Sequence, residues 1–168
     1  MPWKTTLERA AKDKREGKAP TTQAGEFVKE EMEHIRRGKH GARSAKQAIA
    51  IGLSKARRAG VDLPPPKEGT TSERTRKKAE RDTRAAKKAS TKHPSRKRSR
   101  AVEGALKREG HSAASKKSLS SQAKSAARKR SAADRSAAAR KAARTKGAAG
   151  RSAAARKAAK TRARNKRR

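Results

Sequence analysis

The sequence predicts a mostly disordered chain whose ordered part is all-α. That part is a small helical hairpin, with helices at about 23–37 and 45–59, followed by a long basic low-complexity tail able to become helical on binding. Three observations predict this. Only 12 of the 168 residues are Leu, Ile, Val or Phe. A highly charged chain with less than roughly 20% of these residues cannot bury enough surface to offset its ordering entropy. The 51 Lys and Arg face 15 Asp and Glu, a formal charge of +36. Charge and apolar content also run in opposite directions along the chain. Residues 1–70 carry 16 positive and 9 negative charges, and residues 71–168 carry 35 and 6. Twelve of the fifteen large apolar residues, Met and Trp included, precede residue 64, and none follows Leu119.

Residues 1–21 form a basic N-terminal segment with a weak helix over Pro2–Lys18. Trp3 and Leu7 are spaced i, i+4, Thr5 or Thr6 can cap the helix, and Glu8–Lys12 is a helical ion pair. Gly17, Pro20 and the Thr21–Thr22 pair separate it from the next module.

Residues 22–63 hold the strongest structural signal. Val28, Met32 and Ile35 fall at i, i+4, i+7, with Phe27 beside them, which places one apolar stripe on the first helix. Gly38 to Gly41 is a turn. Ser44 and Gln47 then read as a capping box, and Ala45, Ala48, Ile49, Gly52, Leu53 and Ala56 line one face of the second helix. Gly60, Val61 and Pro64–Pro66 close it. Gly52 on the buried stripe predicts a close approach of the partner backbone. Forty residues with so few large apolar side chains fall below the size of a self-sufficient core. The hairpin therefore dimerises, receives another segment, or folds only marginally. Its opposite faces carry Lys29, Arg36, Arg37, Lys39, Arg43, Lys46, Lys55, Arg57 and Arg58, a basic surface suited to a polyanion.

Residues 64–100 read as a Pro-rich linker and basic arm ending in the cluster Arg96, Lys97, Arg98 and Arg100. Residues 101–130 form a weak helical segment, a faint second hairpin. Val102 and Leu106 lie before Gly110, and Leu119, Ala123, Ala126 and Ala127 after it. Residues 131–168 are an Ala/Lys/Arg repeat tail. The run Arg135–Lys146 recurs sixteen residues later as Arg151–Arg162 with only two Arg/Lys exchanges. Alanine favours helix, while like charges at i, i+4 such as Arg140–Arg144 oppose it in free solution. Phosphate neutralisation removes that penalty, so folding into helix on binding is expected.

The stretch Gly38–Gly60, with the core Lys46-Gln47-Ala48-Ile49-Ala50-Ile51-Gly52-Leu53-Ser54, resembles a family of small bacterial proteins of unknown function. Its signature is Lys-Gln-Ala-Ile-Ala-Ile-(Ala/Gly)-Leu-Ser after a glycine-rich basic turn, and the resemblance covers residues 22–66. It implies a bacterial source and little about mechanism. The tail resembles those of linker histones and bacterial histone-like proteins, a similarity of composition that speaks to mechanism only.

Enzymatic function finds no support in the residues. There is no cysteine, and His34, His40, His93 and His111 lack metal-ligand spacing or an adjacent carboxylate pair, so each reads as a solvated or turn residue. No metal, cofactor or small-molecule substrate is expected. No apolar run approaches the roughly 18 residues of a membrane span. A bacterial cytoplasmic, nucleoid location is expected, and the tail lacks the bulky apolar residues of an interfacial helix. With one Trp, one Phe and no Tyr there is no stacking platform for unpaired bases.

The expected function is histone-like, weakly sequence-selective binding of duplex DNA through phosphate contacts, with RNA or ribosome association as the alternative and a homodimer through the hairpin as a further partner. The contacting cations are Arg96, Lys97, Arg98, Arg100, Arg128, Lys129, Arg130, Arg135, Arg140, Lys141, Arg144, Lys146, Arg151, Arg156, Lys157, Lys160, Arg162, Arg164, Lys166, Arg167 and Arg168.

Overall fold

Helix propensity and punctuation in this sequence produce an all-helical chain. The computed structural model describes residues 2–87 and 95–166. Its α-helices are α1 (Lys4–Arg15), α2 (Pro20–Arg36), α3 (Ala45–Arg58), α4 (Glu73–Lys87), α5 (Arg96–Lys107), α6 (Lys116–Arg128) and α7 (Ala132–Lys166), with a 3-10 turn at Ser112–Ala114. No strand occurs among the described residues. The chain divides into two units, residues 1–122 and 123–168.

Within the first unit the helix ends follow sequence chemistry closely. Ser44 caps α3 by accepting from the Gln47 N–H at 3.2 Å, and Gln47 Oε1 reaches back to the Arg43 N–H at 2.9 Å. Each of these bonds satisfies an amide that the helix cannot. At the other end Val61 N–H donates to Ala56 O and Gly60 N–H to Arg57 O, a Schellman closure with Gly60 at φ +87°. The same closure ends α2, where Lys39 N–H reaches His34 O and Gly38 N–H reaches Ile35 O, with Gly38 at φ +71°. It turns the chain back over the end of α2. The first helix starts differently from its sequence reading. Trp3, not a threonine, takes the cap position, no side chain caps it, and Thr6 is buried. Lys12 pairs with Glu16 instead of Glu8.

The apolar residues gather in two small clusters on either side of α2. One joins Phe27 and Ala24 to Ala10 of α1, Ala56 of α3, and Val61 and Leu63 beyond it, with Leu53 packed alongside. The other joins Met32 and Ile35 to Ala42, Ala48, Ala113 and Ala114, with Val28, Ile49 and Leu119 alongside. The 3-10 turn at 112–114 thus inserts its two alanines between α2 and α3, and Gly41 N–H and Ala42 N–H donate to Leu106 O and Gly110 O. Of the covers the sequence allowed, the structure shows segments of the same chain over Phe27 and Ile35. The faint second hairpin is put to a different use. Neither α5 nor α6 buries a residue and Val102 is 55% exposed, while the two alanines between these helices are buried. Two small methyl groups fit a gap lined by other alanines, where a larger side chain would not.

Gly52 meets α2 as its place on the stripe predicts. A Cβ added there would lie 2.7 Å from Val28 Cα and 3.0 Å from its N. Gly25, also helical, has open space at the same position. Gly52→Ala should therefore lower stability by about 1–3 kcal/mol through overpacking, despite alanine's better propensity. Gly25→Ala should raise stability by up to about 1 kcal/mol. Urea unfolding of the two variants checks both signs.

The second unit is α7 with the end of α6. Gly147 breaks α7 with non-helical angles (φ 65°, ψ 173°). The break falls between the two copies of the repeat, so each copy has its own helical segment, about 22 Å and 28 Å long at 1.5 Å per residue. No residue of α7 is buried.

Candidate nucleic-acid interface

Cations become available to a polyanion only where no carboxylate already holds them. In the first unit many are held. Lys55 Nζ lies 2.6 Å from Glu31 Oε2, Arg58 pairs with Asp82, Arg37 with Glu33, Arg76 with Glu68 and Glu80, and Lys18 with Asp13 and Glu16. Arg57 is buried, donating to the carbonyls of Leu63 and Pro64, and Arg36 donates to Ala114 O at 3.0 Å. Five of the nine cations read on the basic face of α2 and α3 thus have partners inside the unit, and of these Arg36, Arg37 and Arg58 remain exposed. Lys55, Arg57 and Arg58 support packing, because the folded chain brings Glu31, Asp82 and the Leu63–Pro64 carbonyls to them. Lys29, Arg43 and Lys46 stay exposed.

Beyond Lys107 the situation inverts. Among the described residues no cation after Lys107 is ion-paired. Arg96, Lys97, Arg98 and Arg100 lie exposed on α5, Arg128 ends α6, and Lys129 and Arg130 follow it exposed. Arg135, Arg140, Lys141, Arg144 and Lys146 lie exposed on the first segment of α7. Arg151, Arg156, Lys157, Lys160, Arg162, Arg164 and Lys166 lie exposed on the second. Arg167 and Arg168 lie outside the described residues. Residues 123–168 hold 18 Lys and Arg against one acid, Asp134, and that acid accepts from Ser131 Oγ at 2.8 Å.

At 100° per residue the five cations of each repeat spread around the whole helix and leave no apolar stripe. Such a helix cannot dock on a core. An anionic groove with phosphates on both walls suits it, because cations on opposite faces then both find partners. A helix about 10–12 Å across matches the roughly 12 Å width of the B-DNA major groove.

The first unit holds a second polar constellation. Glu30 and Glu31 are buried on α2, with His34 buried one turn on. His40, carried back by the Gly38 turn, has Nε2 3.4 Å from Glu31 Oε1, and His34 Nε2 is 3.7 Å from Glu30 Oε1. Trp3 N–H donates to Glu30 Oε2 at 3.1 Å, and its ring meets His34 edge-on at 4.6 Å. Burial foremost, and then the Lys55 charge, push the His34 pKa down. Two of the four histidines are therefore not solvated residues, whereas His111 is exposed and His93 lies outside the described residues. The adjacent Glu30-Glu31 pair, three and four residues before His34, was the signal in the sequence. It reads as an ordinary charged helix face until burial is known.

The fold and its cations define an all-α, strongly basic protein with no helix, among the described residues, long and apolar enough to cross a membrane. Residues 21–67 match a family described as a family of unknown function (DUF6496), a segment that contains α2 except its first residue, α3, and the buried Glu30 and Glu31. No curated protein and no solved structure matches the chain.

If the unpaired cations are the interface, affinity for duplex DNA should fall steeply with salt. Ten phosphates neutralised give a log–log slope near −9, at about −0.9 per phosphate. Fluorescence anisotropy across a salt series measures the slope, and a value shallower than about −3 would remove the tail as the binding surface.

Proposed function

We propose that this chain is a non-enzymatic, histone-like binder of double-stranded DNA in the bacterial nucleoid, contacting phosphates with weak sequence selectivity. The observation that carries the reading is the partition of charge. Carboxylates and carbonyls of the first unit occupy many of its cations, whereas the cations beyond Lys107 have no carboxylate partner among the described residues. Phosphate contacts fix position without reading bases, and the repeats at 135–146 and 151–162 contain no Asn or Gln to read an adenine edge. The groove argument favours duplex DNA over duplex RNA, whose major groove is too deep and narrow for a helix. The α2–α3 hairpin is the structured module that the tail accompanies.

Coupled folding belongs to the same reading. The α7 segments bury nothing that could hold them helical, and Arg140–Arg144 and Arg156–Lys160 repel at i, i+4. Neutralisation by phosphate lets alanine propensity prevail. Circular dichroism of the full chain should show a gain of helix when duplex DNA is added at low salt, and an unchanged spectrum would count against coupled folding.

A two-variant experiment tests the division of labour. Ala113 and Ala114 are buried with α2 and α3, so a truncation must spare them. Removing 123–168 should leave the helices of residues 1–122 intact and cost most of the DNA affinity. Ile35→Asp places a charge at a fully buried position, at a cost of several kcal/mol that a small core cannot absorb. It should unfold the first unit yet leave low-salt DNA binding largely unchanged. Gel shift with duplex DNA, with duplex RNA as competitor, reads the result. Loss of binding in Ile35→Asp equal to that of the truncation, or tighter binding to RNA, would reject this reading.

A further inference from the structure

We infer that Glu31, His34 and His40 form a binding site for a single divalent transition-metal ion of the zinc type, closing the turn after α2. One ligand atom from each of these residues lies within 4.8 Å of the others, and Glu31 and His34 are buried while His40 is half-buried. Acidic or histidine clusters on surfaces are common. This one is inside the first unit, and its atoms are left without partners. Glu31 Oε1, Glu30 Oε1 and His34 Nε2 are all buried and accept or donate no hydrogen bond. Buried polar atoms are nearly always satisfied, and the unpartnered Glu31 Oε1 and His34 Nε2 lie beside His40, a set suited to a shared cation.

The local hydrogen bonds specify what is missing. His40 Nδ1 lies 3.0 Å from the carbonyl of Gly41. A carbonyl only accepts, so Nδ1 carries the proton and donates. In the neutral ring Nε2 then presents its lone pair to Glu31 Oε1, 3.4 Å away. Two acceptors then face each other at a distance that a shared cation bridges. Two ligands about 2.0–2.1 Å from one zinc ion at tetrahedral angles stand roughly 3.3 Å apart, close to the 3.4 Å of the Glu31–His40 pair, with the His34 ligand atom within 4.8 Å of both. The Nδ1–H bond to a backbone carbonyl is also the outer-shell contact that fixes the tautomer of metal-bound histidines.

The surrounding charges are compatible. Lys55 occupies Oε2 of Glu31 at 2.6 Å, which leaves Oε1 free for one-oxygen ligation. Glu30, 3.7 Å from His34 Nε2 and anchored by the Trp3 N–H, is placed to orient His34 or to enter as a fourth ligand. Lys39 also acts on His34 from the turn. Two carboxylates, Glu30 and Glu31, thus lie buried with one ammonium in direct contact, which leaves negative charge at the site to attract a cation. Two imidazoles and a carboxylate suit zinc, cobalt or nickel and are poor ligands for magnesium or calcium.

The test uses the full-length protein freed of metal, titrated with Co²⁺ and followed by its visible spectrum, and with Zn²⁺ by equilibrium dialysis. The chain has no cysteine and four histidines, so competing sites are few. One Co²⁺ per chain is expected, with the intense bands of four-coordinate nitrogen and oxygen ligation, displaced by Zn²⁺ and not by Mg²⁺. Glu31→Gln and His40→Gln should each weaken binding at least tenfold, and His111→Gln should not. Because a variant could lose its fold, the thermal midpoint of the unaltered chain is the second measurement. It should rise by several degrees with excess Zn²⁺ and stay fixed with Mg²⁺. Failure to retain one ion per chain, or no rise in the midpoint, would overturn the site. So would binding untouched by both ligand variants, or weakened as much by His111→Gln.

Discussion

Carboxylate is the scarce group in this molecule. With 15 Asp and Glu for 51 Lys and Arg, each acid that is buried or paired determines which cations are used inside the fold and which remain outside it. The first unit concentrates its acids where segments meet. Asp82 of α4 takes Arg58 and the Ser54 hydroxyl of α3, Glu31 takes Lys55, Glu30 takes the Trp3 amide, and Asp13 with Glu16 takes Lys18. Exposed pairs of this kind are worth little individually. Their structural consequence is larger, because partly buried ones such as Glu31–Lys55 permit α2 and α3 to approach without leaving a lone charge in the core.

The apolar side of the same unit is correspondingly thin. Phe27 and Ile35 are the large apolar side chains with almost no exposure, and most of their buried apolar neighbours are alanines. Such a core gains stability from close backbone approach more than from side-chain volume. Gly52 against Val28, and Ala113–Ala114 between α2 and α3, are two instances of that approach. A segment far along the chain is thereby recruited into the core of the first unit, and the helix carrying Arg96–Arg100 is held at its C-terminal end, where Gly41 N–H donates to Leu106 O.

Local elements were largely legible in the sequence. The stripe of Phe27, Met32 and Ile35, the Ser44–Gln47 box and the Gly60–Val61 closure each depend on residues within about two turns of each other, where geometry follows from spacing alone. The exposed cations beyond residue 95 were legible for the same reason. A helix without an apolar face has nothing to bury, so its Lys and Arg remain on the surface. The histidines were not legible. His34 and His40 are separated by a helix end and a turn, and only the left-handed backbone at Gly38 returns one ring toward the other.

Composition and periodicity by themselves indicated that the ordered part is helical, poor in core and unbalanced in charge toward its end, but read 64–100 as linker and arm where the structure has α4 and α5. They also set where its helices stop, because capping and propensity act over a few residues. Tertiary structure decided which cations are neutralised, which alanines are buried and which polar groups converge. Those outcomes depend on which distant segments touch. Lys55 and Arg43 are both basic residues near a glycine turn, and nothing near either distinguishes them. One meets Glu31 across the α2–α3 contact and the other meets solvent. The difference is one of desolvation, because a carboxylate withdrawn from water attracts a cation far more strongly than water-exposed neighbours do.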